Sequence, residues 1–180
     1  MVLGSIRPLL IAGCVAASFG ISMPAMAMSK DYLEQTLKSH PVTKAVADFG
    51  GKVVVKEKCK GDYYALFTNY GPTAYLFICG SDVKSLSELE LSLTHEAVHF
   101  SQWCAGQNSL YEHQELRAKA EKDGFSTDWA DEATNDLKKG SQEYDSEWEA
   151  YYFEDISPAG MVEMIQTYCA PMTKEEFEEI

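Results

Sequence analysis

Basic residues are scarce in this chain. Fifteen Lys and Arg stand against 28 Asp and Glu, for a formal charge of −13. Nucleic-acid binding needs a basic footprint, so DNA and RNA are excluded as partners. No internal repeat or low-complexity tract is visible after residue 28, which argues against repeat and fibrous designs. None of the five cysteines forms a C-x-x-C pair, so zinc held by thiolates is disfavoured. Past the N-terminal stretch, no segment is long and apolar enough to span a bilayer.

What is present is the composition of a packed protein. The 180 residues are 46% hydrophobic and 12% aromatic, enough to bury one core in one domain. Arg7 is the only charge before Lys30; an apolar run from Leu9 to Ala17 follows it, and a small-residue stretch ends at Ala25-Met26-Ala27. This order predicts a signal peptide over residues 1–27 and a single exported domain over 28–180, periplasmic or secreted, starting at Met28. Ile11-Ala12-Gly13-Cys14 also resembles the lipobox of bacterial lipoproteins, so a lipid anchor at Cys14 is the lesser alternative. Removal of the leader leaves Cys59, Cys79, Cys104 and Cys169, an even number in an exported chain. Two disulfides are expected, with Cys59–Cys79 and Cys104–Cys169 the preferred pairing.

The predicted order is helix, small sheet, then several helices, an α+β domain. Residues 29–48 read as a helix interrupted near Pro41, and Gly50-Gly51 breaks the chain. Val53–Val55, Tyr63–Phe67 and Ala74–Cys79 read as three strands of a small antiparallel sheet, expected as a meander with a turn at Lys60-Gly61-Asp62. A literal meander sets Cys59 and Cys79 two strands apart, beyond the roughly 7 Å reach of a disulfide, so that pairing needs frayed ends or another strand order. Ser85-Leu86-Ser87-Glu88 is a capping box opening a central, buried helix that ends near Cys104–Gly106. Helices follow over about 112–122, then from Ser126 to Asp155 with a break at Gly140, then from Pro158 to Cys169. Thr173-Lys174-Glu175-Glu176 caps a short terminal turn.

Inside the capped helix stands Thr94-His95-Glu96-Ala97-Val98-His99. His95 and His99, spaced i, i+4, leave one helix face a turn apart, and two nitrogens there can bind one zinc ion. Glu96 beside them is placed to act on water as general base. A catalytic zinc needs a third protein ligand. His40 and His113 are candidates, but position 105 is Ala, so the metzincin spacing with a third histidine is absent. Glu147, in Glu147-Trp148-Glu149-Ala150, is better placed, with Glu143 and Glu149 as alternatives.

With H-E-x-x-H on one helix and E-x-x-A on a later one, the chain resembles the gluzincin branch of zinc metallopeptidases. The resemblance covers little beyond these two motifs. It implies a zincin-like domain, a small sheet packed on a helical bundle, binding one Zn2+ per chain. It also implies zinc ligands His95, His99 and Glu147, catalytic Glu96, and a peptide or protein substrate laid along an edge strand. A Tyr beyond the ligands often stabilises the oxyanion in this branch, which points to Tyr144 or Tyr151. Trp103, one turn past His99, is expected to pack in the core, with a wall of the site as the lesser reading. The competing expectation is a non-catalytic, disulfide-stabilised binding protein, with or without structural zinc.

Overall fold

The computed structural model describes residues 27–59 and 64–170. Residues 1–26 of the expected leader (Cys14 among them), the expected turn at Lys60-Gly61-Asp62 with Tyr63, and the capped turn at Thr173 lie outside the described residues. Two short helices, α1 (Lys30–Ser39) and α2 (Pro41–Asp48), precede three strands, β1 (Lys52–Lys56), β2 (Ala65–Tyr70) and β3 (Thr73–Cys79). Five helices follow: α3 (Leu86–Cys104), α4 (His113–Asp123), α5 (Thr127–Ala133), α6 (Gln142–Phe153) and α7 (Pro158–Cys169). The fold is α+β, as expected. None of the described helices is long and apolar enough to cross a membrane.

The sheet is mixed rather than antiparallel, and it is not a meander. Its order is β1-β3-β2, with β1 parallel and β2 antiparallel to β3. The reason lies in the side chains. Ala74, Leu76, Ile78 and Cys79 of β3 are all fully buried, and a continuous apolar run takes the centre, where both edges are paired. Lys52 and Lys56 bracket β1 and suit an edge. This order removes the distance objection to Cys59–Cys79. The two cysteines follow or end neighbouring strands, their Cα atoms are 5.4 Å apart, and the bond is formed. Cys104–Cys169 is also formed and ties the end of α3 to the end of α7.

The long helix α3 is the spine. Ser85 Oγ accepts from the Glu88 N–H, and Glu88 Oε2 accepts in return from the Lys84 N–H. Leu89, Leu93, Ala97, Val98 and Phe100 are buried, so the helix packs on more than one side, against the sheet, α6 and α7. Gly51 lets the chain turn into β1 against this helix, since a Cβ there would lie 2.7 Å from Phe100 Cε2. Trp103 joins this core through Phe100, its ring 5.8 Å away, and does not wall the cleft described below.

A second, smaller core is built from Leu116 and Ala120 of α4, Ala130 of α5, and Tyr144 and Trp148 of α6. Asp131 fastens it. Its Oδ1 accepts from Arg117, the Tyr144 hydroxyl and the Trp148 indole, and its Oδ2 accepts a second Arg117 bond. Helix α6 lies between the two cores, with Trp148 in the smaller and Ala150 in the larger.

Candidate metal centre

Helix spacing presents His95 and His99 side by side, their ring centroids 5.1 Å apart. Ser141 caps α6 by accepting from the Tyr144 N–H, and the helix then carries Glu147 across from the two imidazoles. His95 Nε2 is 3.3 Å from Glu147 Oε2, and His99 Nε2 is 3.3 Å from Glu147 Oε1. One ligand atom from each of the three residues can be chosen so that all lie within 4.8 Å of one another. Zinc bonds of about 2.0–2.2 Å at the tetrahedral angle set neighbouring ligand atoms about 3.3–3.6 Å apart. The donor types and spacing therefore fit a zinc ion. Ala150 is fully buried, as close packing of α6 on the core beside α3 requires.

The outer nitrogens of both imidazoles are held. His95 Nδ1 faces Glu154 Oε2 at 3.5 Å. His99 Nδ1 lies 2.8 Å from Gln102 Oε1. The Gln102 amide has only one workable orientation. Its Nε2 donates to the Ser146 carbonyl at 3.2 Å and to Glu149 Oε2 at 2.8 Å. That same Glu149 oxygen already accepts the Leu110 N–H at 2.7 Å. With the amide nitrogen so committed, Oε1 faces His99, whose Nδ1 must donate. His99 Nε2 faces Glu147 and is the nitrogen available to a metal.

The charges obey the same geometry. Burial alone would lower the His95 pKa, but hydrogen bonds to Glu147 and Glu154, with Glu96 nearby, hold it up at about 10. Burial would raise the Glu147 pKa, and the two imidazoles overturn that and hold it well below the usual carboxylate range. In the metal-free protein the site is therefore an imidazolium–carboxylate cluster. A dication held by these residues would displace the His95 proton. Burial pushes the Glu96 carboxyl up, the imidazoles pull it back, and the Phe67 backbone N–H of β2 bonds it.

The site opens into a cleft of about 1090 Å³. Its floor runs along one face of α3 through Leu91, Ser92, His95 and His99, and β2 forms one side through Tyr64–Phe67. Tyr64 O accepts from the Cys79 N–H, so strand alternation turns the backbone groups of Ala65 and Phe67 away from β3. The edge strand beside the cleft is thus β2.

Residues 56–170 match the sequence profile of a family described as "Domain of unknown function (DUF8637)". The chain belongs to that family. The match spans β2 through α7 and so takes in every residue of the cluster, while α1 and α2 lie outside it. No curated protein and no solved structure matches the chain.

Several candidates fall elsewhere. His40 pairs with Glu90 at 4.0 Å. His113 is packed between the rings of Tyr144 and Trp148 and faces Asp145 at 3.4 Å. Tyr144 belongs to the smaller core and donates to Asp131, so of the two tyrosines only Tyr151 lines the cleft, its ring 4.7 Å from that of His95. Glu143 lines the cleft one helical turn before Glu147. Glu149 is neither a ligand nor a solvated carboxylate. It is fully buried, its pKa raised by that burial, and it anchors Gln102.

Sequence reasoning missed Gln102, Ser146, Glu149 and Glu154 as supports. Gln102 had a legible signal, since it follows His99 by three positions on the same helix.

Proposed function

We propose that this chain is an exported zinc metallopeptidase of gluzincin type. The observation that carries the proposal is the convergence of His95, His99 and Glu147 beside buried Glu96, in a cleft with an open strand edge. A zinc ion held there would polarise a scissile carbonyl and acidify water. Glu96 takes the proton of the attacking water and passes it to the leaving amine. Its raised pKa suits a group that both accepts and returns a proton. With the Phe67 N–H taken by Glu96, the outward Ala65 N–H and C=O and the Phe67 C=O offer pairing to an extended peptide. Tyr151 stands where a donor could meet the developing oxyanion. Export is supported by the two disulfides, which persist in oxidising compartments.

The test separates the two glutamates. Wild type is expected to hold one zinc per chain by elemental analysis and to cleave peptides until a chelator is added. Glu96→Gln should keep the zinc while hydrolysis falls by at least about 10²-fold. Glu147→Ala should lose zinc and hydrolysis together. A wild type that binds no zinc defeats the proposal. Zinc without hydrolysis leaves only a metal-binding protein.

A further inference from the structure

The cleft walls carry charge of one sign. Among the described residues, Glu88, Glu96, Asp136, Glu143, Glu147 and Glu154 line the cleft, and no Lys or Arg does. General acidity does not explain this, because the chain has 15 basic residues to place against its 28 acidic ones. A dication at the centre would offset Glu96 and Glu147. The other four remain, and they come from three separate parts of the fold: Glu88 from α3, Asp136 from the α5–α6 loop, and Glu143 and Glu154 from the two ends of α6, the latter as its C-cap. Glu154 is engaged with His95. Asp136 and Glu143 are exposed, line the cleft, and pair with no cation among the described residues.

The open edge of β2 is an independent observation, and it points to an extended polypeptide as the occupant. Apolar side chains line the same cleft as the carboxylates. Leu66 is 44% exposed, and Leu91 and Leu137 also line the cleft. A cleft with both kinds of lining suits long cationic side chains, whose methylene stems cover apolar surface while the charged heads reach carboxylates. Low-dielectric walls of one sign also concentrate ligands of the opposite sign.

We infer that the cleft selects polycationic peptide segments, rich in Lys and Arg around the bond held at the metal centre. This rests on the hydrolase proposal for the reaction, though not for binding. Asp136 and Glu143 are the specificity-determining residues that a substitution can address without touching ligands or base.

The experiment uses zinc-loaded protein and two dye-labelled peptides of equal length and apolar content. One has Lys and Arg at its charged positions, the other Glu. Binding is read by fluorescence anisotropy and cleavage by fluorescence dequenching. The cationic peptide should bind at least about tenfold more tightly, and the preference should shrink as salt rises. The pair Asp136→Asn and Glu143→Gln should cut that preference several-fold, while a neutral peptide binds as it does to wild type. If cleavage occurs, kcat/KM should follow the same order. Cationic binding without cleavage of any peptide defeats the hydrolase and leaves the inference standing. Cleavage or binding that ignores peptide charge, or favours Glu, overturns the inference and leaves the hydrolase. An unchanged preference in the double variant overturns the assignment to these two carboxylates.

Discussion

Replacing Gln102 by Leu tests whether His99 is prepared for metal by its neighbours. The amide is 3% exposed and makes four hydrogen bonds, to His99, Glu149, the Ser146 carbonyl and the Ser146 hydroxyl. Leucine nearly keeps the volume and removes all four. His99 then has only the Ser146 hydroxyl, 3.3 Å away, to orient Nδ1, and its proton can sit on the nitrogen that should bind metal. Loss of such outer partners costs about 10–100-fold in metal affinity, or about 1.4–2.8 kcal/mol. Glu149 keeps the Leu110 N–H but loses its second donor, which costs the metal-free fold about 1–3 kcal/mol. The two effects separate in measurement. Zinc competition against a chromogenic chelator reads affinity, and thermal melting of the metal-free protein reads stability. Affinity within twofold of wild type, in a variant with a native circular dichroism spectrum, would refute the argument that this hydrogen-bonded chain sets the tautomer of His99.

Zinc affinity should rise with pH, because the metal-free site holds a proton on His95 up to about pH 10, well above the ordinary 6.5. Below that value each unit should bring up to about tenfold tighter binding, and chelator competition at three pH values will show a flat profile if the pairing with Glu147 and Glu154 is misread. The same pairing has a definite sign in the metal-free fold: its contribution is whole below about pH 6.5 and disappears as pH climbs through about 10, which pH-dependent melting can follow. Cys104→Ser with Cys169→Ser should cost about 2–5 kcal/mol, since the bond closes a separation of 65 residues, and urea titration will expose a smaller effect. Glu149→Ala should lower the melting temperature and weaken zinc binding; unchanged values for both would refute its role as the buried anchor of Gln102.

Those features with a short-range signature were legible in the sequence. The capped helix, its H-E-x-x-H face and the start of α7 at Ser157-Pro158 follow from local spacing and capping chemistry. Glu147 was singled out among many carboxylates because Ala150 follows it, and the structure sets it against both imidazoles. Strand order was not legible, because hairpin proximity favours a meander, and the preference of β3 for the centre is a matter of burial on both faces. Glu149 misled for a related reason. It lies roughly 200° round the helix from Glu147, at about 100° per residue, and a carboxylate there reads as solvated. The donors that draw it inward, Gln102 and the Leu110 N–H, come from distant parts of the chain and leave no periodicity to detect.

The division of the interior into two cores gives the metal centre a mechanical meaning. Both disulfides end in or beside the larger body, and neither reaches α4, α5 or α6. His95 and His99 ride on the helix at the heart of that larger body, whereas Glu147 precedes Trp148, the main anchor of the smaller one. An ion shared by these three residues would be the cross-link that the sulfur chemistry leaves out. Chelation should therefore loosen one lobe selectively. Amide hydrogen exchange would accelerate across 113–153 while the strands and α7 stay protected, and the protein would lose one wall of its cleft before it lost its fold.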